Sequence, residues 1–456
     1  MTTDDHRTAR LRVLHVCYSD GNGGAAIGAR RSHNAMLSQG IDSVLAVVKK
    51  TTNDSRVIEL PENPARRFVS RQLTRCVEWF QKSDNKVFRT LNIIPMGAAD
   101  VLNTIEADII QLHWIAADTV SISELAKLNK PIVWKLPDMW AFSGAEHYSQ
   151  IESADRFADG YTASNRPKGQ AGLDIDRWIW TYKKNVWRDV NFNIVGPSKW
   201  IADCARRSIL FKNARIRHIP NPLDLSLYTP QPKSDARAAF GLPQDRTLVM
   251  FGALHATTDP RKGFQHLQAA LDHLPQHLDP NTTSIVVMGA DGPRGQKTGP
   301  YDTHYLGVLR EEKEIVAAYC TADVFVLPCE MDNLPNVIKE ATCCGVPCTG
   351  FDVGGMPDMI DHQETGYLAK PYDPQDLARG IGWVAQHATA DFRKEVRRRA
   401  ELKHAEHVAV SRYIDFYDEI LGRPSAPGQK SERSTEDAKT SAQEPQNENN
   451  IIREVL

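Results

Sequence analysis

The chain has 456 residues, 41% hydrophobic, 25% charged and 8% aromatic, with a formal net charge of −2. That length calls for two domains rather than one core, and the near-neutral balance excludes a general attraction to nucleic acid or to an anionic bilayer. No run of about 18 apolar residues is present and residues 1–12 are polar, so neither a transmembrane helix nor a secretory leader is expected, and the cytosol is the expected compartment.

Residues 1–10 are expected to be disordered. Arg12–Tyr18 is predicted as a strand, the Gly-rich turn Ser19–Gly24 follows, then a helix over Ala25–Leu37 and a strand over Asp42–Val48. Strand, turn, helix, strand is a βαβ unit and implies a parallel sheet. Pro64–Phe80 interleaves basic and apolar residues at helical spacing, with Val69, Leu73, Val77 and Phe80 on one stripe and Arg66, Arg67, Arg71 and Arg75 elsewhere. Such a helix either lies at the inner face of a membrane, on anionic lipid, or packs its apolar face on the first domain. Further strands are predicted at Ala107–His113, Lys130–Leu136 and Phe192–Gly196.

The alternation then restarts, with strands at Arg246–Gly252, Ser284–Gly289, Tyr305–Gly307 and Ala322–Leu327 and a helix over Phe264–Leu274. Two doubly wound α/β sets imply two Rossmann-like domains, 11–212 and 213–403, facing each other across a cleft. A helix near 404–421 is expected to rejoin the first domain. Residues 424–456 hold Pro, Ser, Gln, Glu, Lys and Asn with almost nothing to bury and are expected to be a disordered tail. The eight cysteines include a cluster, Cys329, Cys343, Cys344 and Cys348, that lacks paired zinc-knuckle spacing and reads as small buried hydrophobes.

The most informative stretch is Leu327-Pro-Cys-Glu-Met-Asp-Asn-Leu-Pro-Asn-Val-Ile-Lys-Glu-Ala-Thr-Cys-Cys-Gly-Val-Pro347. A strand ends at Pro328, a polar loop follows, and Pro335 stands where a helix begins, with Gly345 as its stop. The first turn of that helix presents unpaired N–H groups suited to a diphosphate. Asp332 and Glu340 bracket the turn, and carboxylates accept well from sugar hydroxyls; a solvated acidic helix start is the plainer alternative. Gly21–Gly28 matches a dinucleotide fingerprint only in part, which argues against a dehydrogenase.

These residues resemble the large retaining glycosyltransferase family 4, in the polysaccharide-biosynthesis branch that writes Asp-Asn-Leu-Pro-Asn at its donor motif. The stretch Gly350–Asp361, the segment Glu364–Leu368, Phe251-Gly-Ala, Asp259-Pro-Arg-Lys-Gly-Phe264, Ser198-Lys-Trp, Ile219–Asp224, Gly23-Gly24 and Leu136–Phe142 fit the same family. The resemblance implies the GT-B fold and no metal or resident cofactor, with a nucleotide-diphosphate sugar as co-substrate. It implies that Glu340 holds the ribose hydroxyls and that Asp332, with Asn333, Leu334, Pro335 and Asn336, contacts the donor sugar and distal phosphate. Arg261 and Lys262 would neutralise the leaving diphosphate. Gly23 and Gly24 would let the first turn approach the ligand. Asp138 is carried over as a catalytic candidate, although Pro137 stands where many relatives carry His. Glu330 is a further carboxylate near the motif. His113 and His147 are acceptor-side candidates, each equally readable as a structural histidine.

The implied activity is transfer of a hexose, with retention, to a polysaccharide or lipid-linked saccharide in cell-surface or exopolysaccharide biosynthesis. An epimerase-like enzyme and a non-catalytic nucleotide-sugar-binding subunit are the alternatives. No basic stripe interleaved with aromatics points to nucleic acid.

Overall fold

Alternating short apolar runs and amphipathic helices build two seven-stranded sheets, described by a computed structural model over residues 11–21, 23–82, 87–149, 156–252, 260–293 and 295–424. The first sheet contains β1 (Arg12–Ser19), β2 (Asp42–Lys49), β3 (Val57–Glu59), β4 (Ile109–Leu112), β5 (Ile132–Lys135), β6 (Phe192–Gly196) and β7 (Arg215–His218). Their order is β3-β2-β1-β4-β5-β6-β7, parallel throughout. Central strands are buried on both faces, which is why Val13, Leu14, Val16 and Cys17 run together rather than alternate with polar residues.

The second sheet contains β8 (Thr247–Gly252), β9 (Thr283–Met288), β10 (Lys297–Thr298), β11 (Tyr301–Tyr305), β12 (Val324–Leu327), β13 (Cys348–Phe351) and β14 (Gly366–Ala369). Its order is β10-β11-β9-β8-β12-β13-β14, parallel except for the β10–β11 edge hairpin. Each sheet therefore reverses direction of growth once, beside β1 in the first and beside β8 in the second. Ligands of such sheets sit outside the carboxyl ends of the strands at that reversal.

The strand expected at Tyr305–Gly307 instead occupies Tyr301–Tyr305. The turn at Gly299-Pro300 sets the register, and the half-buried Asp302 and His304 alternate with the buried Tyr301 and Thr303 beside the two-residue edge strand β10. β7, with alternating exposed arginines, is an edge strand of the first sheet, so that sheet extends beyond residue 212, where the sequence reading ends the first domain. Helix α1 (Gly24–Ser38) follows β1, and α2 (Pro64–Phe80) follows β3. The apolar stripe read on α2 is split. Leu73 and Val77 pack on the first core and Arg67 and Ser70 are buried, whereas Val69 and Phe80 join Phe68 and Trp79 in solvent. The helix Glu406–Leu421 begins beside α1, where Ser38 Oγ donates to Glu406 at 3.1 Å.

All eight cysteines are free: the cluster Cys329, Cys343, Cys344 and Cys348 is buried, as that reading expects, and of the scattered four only Cys76 on α2 is exposed. The N-terminus 1–10, the tail from 425 and Asp259 of the basic loop lie outside the described residues. Among the described residues no helix is long and apolar enough to cross a membrane, and no His, Cys, Asp or Glu group has metal-holding geometry.

Candidate functional site

The carboxyl ends of β8 and β12 carry the two segments that the sequence singles out. The basic segment Pro260–Lys262 forms a single 3-10 turn and leads through Gly263 into α3 (Phe264–His273). Gly263 has φ of 77°, and a Cβ there would lie 1.7 Å from the Pro328 carbonyl oxygen, so only glycine lets this turn rest on the end of β12. The contact is sealed by Glu330 N–H donating to the Arg261 carbonyl at 3.0 Å.

The result is an ion pair between the two segments: Lys262 Nζ lies 2.9 Å from Asp332 Oδ2. The Asp332 charge holds the Lys262 ammonium above the usual lysine range, against the opposing pull of desolvation. Glu330 does not share this role. It turns to α3, accepting from Gln265 Nε2 at 2.9 Å and meeting His266 Nε2 at 3.2 Å. Arg261 lies over the Tyr148 ring, 5.9 Å from its centroid, bringing the basic turn against the first half.

Helix α4 (Asn336–Cys343) starts one residue later than expected, with Pro335 as its cap residue. Proline's side chain offers no acceptor, and no side chain caps this end. The N–H groups of Ile338 and Lys339 turn to the Pro335 carbonyl, leaving those of Asn336 and Val337 as first-turn donors for an anion. Leu334 packs its side chain into the second core.

Asn333 ties this loop to the first half. Its Nδ2 donates to the carbonyls of Leu136 (2.9 Å) and Pro137 (3.1 Å), and its Oδ1 accepts from Ser198 Oγ at 2.6 Å. Asn336 Nδ2 donates to the Gly24 carbonyl at 3.1 Å, beneath the first βα turn, where Gly23 has φ of 91°.

Glu340 is engaged elsewhere than Asp332. Its Oε1 meets Arg31 Nη1 of α1 at 2.7 Å, and its Oε2 accepts from the Tyr319 hydroxyl at 2.9 Å. Arg31 also donates to the Tyr228 hydroxyl at 2.6 Å. Desolvation opposes the Arg31 charge, but Glu340 and its neighbours outweigh it and drive the guanidinium's pKa upward. Arg31 was not legible as a site residue; one of two adjacent arginines in a helix rich in small residues, it carries no motif of its own.

Of the acceptor-side candidates, His147 is fully engaged. Its Nδ1 lies 2.6 Å from Asp138 Oδ2 and its Nε2 2.9 Å from Thr90 Oγ1. Asp138 also accepts from Trp140 N–H, so its carboxylate orients both the histidine and the loop. His113 is separate from these. At 1% exposure it sits in the first core, its Nε2 2.8 Å from His15 Nδ1. Burial pushes both imidazoles well below the usual histidine range. A hollow of about 450 Å³ lined by Arg12, Asp42 and Asp108 lies at the opposite, amino ends of the strands.

Residues 245–387 match the family model described as glycosyl transferases group 1. The D-inositol 3-phosphate glycosyltransferase of Saccharomonospora viridis is 27% identical over 226 residues, 45% of this chain and 50% of that protein. The protein of the same description from Xylanimonas cellulosilytica is 30% identical over 186 residues, 37% of this chain and 42% of its own. The chain thus spans about half the length of the curated relatives it matches. Among solved structures, sucrose-phosphate synthase from Thermosynechococcus elongatus superposes with a TM-score of 0.62 at 17% identity, covering 91% of this chain and 100% of that one. Anabaena HepE, in complex with UDP-glucose, gives 0.58 at 15% identity, with 91% and 100% covered. The glycosyltransferase WaaG gives 0.57 at 15%, with 90% and 100% covered. The chain therefore has the GT-B fold, with a second half that matches the glycosyl transferases of group 1.

Proposed function

We propose that this protein is a glycosyltransferase that moves a hexose from a nucleotide-diphosphate sugar to a saccharide or lipid-linked saccharide acceptor, with retention and without a metal. The observation that carries the reading is the Lys262–Asp332 pair at the open start of α4, beside the strand reversal of a sheet matching glycosyl transferases group 1. In this reading the first-turn N–H groups of α4, Lys262 and Arg261 receive the diphosphate, and Asp332 meets the donor sugar. The charge that grows on the departing phosphate is then met by fixed cations and a helix start. Glu340 holds the ribose hydroxyls. Arg31 and Tyr319 use two of its acceptor sites and leave others for the ligand. Asp138 and His147 shape the acceptor side. Proximity and charge stabilisation, rather than an enzymic nucleophile, supply the rate. Polysaccharide or glycolipid biosynthesis is the setting we propose.

A screen of thermal stabilisation by UDP, GDP, ADP and their sugars tests the donor half, since ligands of the native state raise the melting temperature. UDP-glucose heads the screen because it is the ligand named for HepE. No stabilisation by any of them would overturn the reading. Donor consumption without acceptor would favour epimerase-like chemistry instead, and binding without turnover a non-catalytic subunit.

We further propose peripheral membrane contact through α2. Phe68 is 62% exposed and Trp79 78%, beside the exposed Arg66, Arg71 and Arg75. Co-sedimentation with anionic phospholipid vesicles should fall for the double variant Phe68→Ser/Trp79→Ser; equal pelleting ends the proposal.

A further inference from the structure

A cavity of about 300 Å³ opens between α2 and the segments 88–92 and 117–118 of the first half. It lies next to His147: Thr90 on its wall meets His147 Nε2, and the Phe88 ring lies 5.0 Å from the imidazole. His147 leads through Asp138 to Pro137, whose carbonyl Asn333 of the donor loop holds. The cavity is therefore joined by a short chain of side-chain contacts to the proposed donor site, yet shares none of its residues.

Its lining is basic and aromatic. Arg67, Arg71, Arg75 and Arg89 face it together with Tyr18 and Phe88. Two of the guanidinium groups are already spent. Arg89 pairs with Asp176 at 3.3 Å, and Arg67 pairs with Glu62 at 3.2 Å and lies over the Tyr18 ring. Arg71 and Arg75, one helical turn apart, make no hydrogen bond or ion pair among the described residues. The one carboxylate on the wall, Asp118, accepts from Ser70 Oγ at 2.5 Å, and burial raises its pKa.

The wall is also strained. Asn92 (φ 50°), Ala117 (φ 53°) and Asp118 (φ 58°) all take left-handed backbone without being glycine. Asn92 holds this shape by donating to the Ile115 and Val120 carbonyls and accepting from Asp118 N–H. Strain kept up in this way gathers at ligand sites.

We infer that this cavity is an acceptor subsite for a sugar that carries an anionic group, phosphate or carboxylate. The sugar ring lies against the exposed face of Phe88, and the anion sits between Arg71 and Arg75. The inference rests on the glycosyltransferase reading for the word acceptor, but its binding test does not.

The full-length protein is titrated with glucose, glucose 6-phosphate and glucuronate, followed by ligand-observed NMR. One or both anionic sugars should bind at least about tenfold more tightly than glucose, the preferred one identifying the group, and high salt should reduce the preference. The variant Arg71→Gln/Arg75→Gln should lose that preference while keeping any thermal stabilisation by nucleoside diphosphates, which also shows that it is folded. Equal binding of the three sugars, or a preference that survives the double substitution, overturns the subsite. Absence of nucleotide stabilisation in the wild type, with the anion preference intact, would overturn the glycosyltransferase reading instead.

Discussion

Asn333→Ala tests how firmly the loop before α4 is registered to the first half. Asn333 is 2% exposed, and its side chain makes three hydrogen bonds to Leu136, Pro137 and Ser198. At about 1 kcal/mol net per bond, the substitution should destabilise the protein by about 3 kcal/mol. Asn333→Asp should be worse. It keeps one acceptor for Ser198 but turns a charged oxygen on two carbonyls. Urea midpoints give the global loss. Amide exchange at Met139 and Ile201, which donate to the His147 carbonyl and to Ser198 Oγ, gives the local one. A local loss of that size should speed exchange there by about a hundredfold. An alanine variant within about 0.5 kcal/mol of wild type, or an aspartate variant milder than alanine, would refute the reasoning.

Three further outcomes are expected. Lys262→Ala should lower turnover at least ~10²-fold in initial-rate assays of purified enzyme, as loss of one charge-stabilising donor does elsewhere; wild-type rates would remove Lys262 from the mechanism. Glu340→Gln removes the nearer of the two carboxylates on the largely buried Arg31, leaving Glu312 at 3.3 Å, and should destabilise by about 2 kcal/mol, with Arg31→Met/Glu340→Gln recovering part of that in a double-mutant cycle. Burial lowers His33 and His218 to about 4 and His404 to about 3, below the ordinary 6.5, so the unfolded chain takes up protons first. The contribution of these histidines should therefore be level above pH 6.5 and fall below it, by about 1.4 kcal/mol per pH unit for each histidine until its folded pKa is reached. Urea midpoints unchanged between neutrality and pH 5 would contradict this.

Several buried strands were legible because burial on both faces writes itself as apolar runs: β1, β6 and β12 lie within a residue or two of where the sequence puts them, whereas the equally buried β13, with Thr349 and Gly350 in its middle, was missed. Strands at or next to an edge lack that signature, so β7, with its alternating arginines, and β11, beside the two-residue edge strand β10, were missed or displaced. Lys262, Asp332 and the start of α4 are legible because a loop's chemistry is local. The partner of Glu340 is not, since Arg31 reaches it through folding alone. A histidine's sequence neighbours likewise say nothing about depth: His113 and His147 read alike, yet one stacks on His15 in the first core and the other braces a loop. The stripe on α2 fails for a related reason, as Arg67 and Ser70 find polar partners that let them be buried in place of Val69 and Phe80.

The Arg31–Glu340 contact joins residues 309 positions apart. The counter-ion of a carboxylate in one half of the molecule is thus encoded in the other. An excised fragment beginning after His218 would retain Glu340 and Tyr319 but forfeit the guanidinium, and affinities measured on it would describe a different site. Chimeras that exchange first halves face the same condition: a second half transplanted onto a helix without arginine at position 31 arrives with Glu340 deprived of its guanidinium partner.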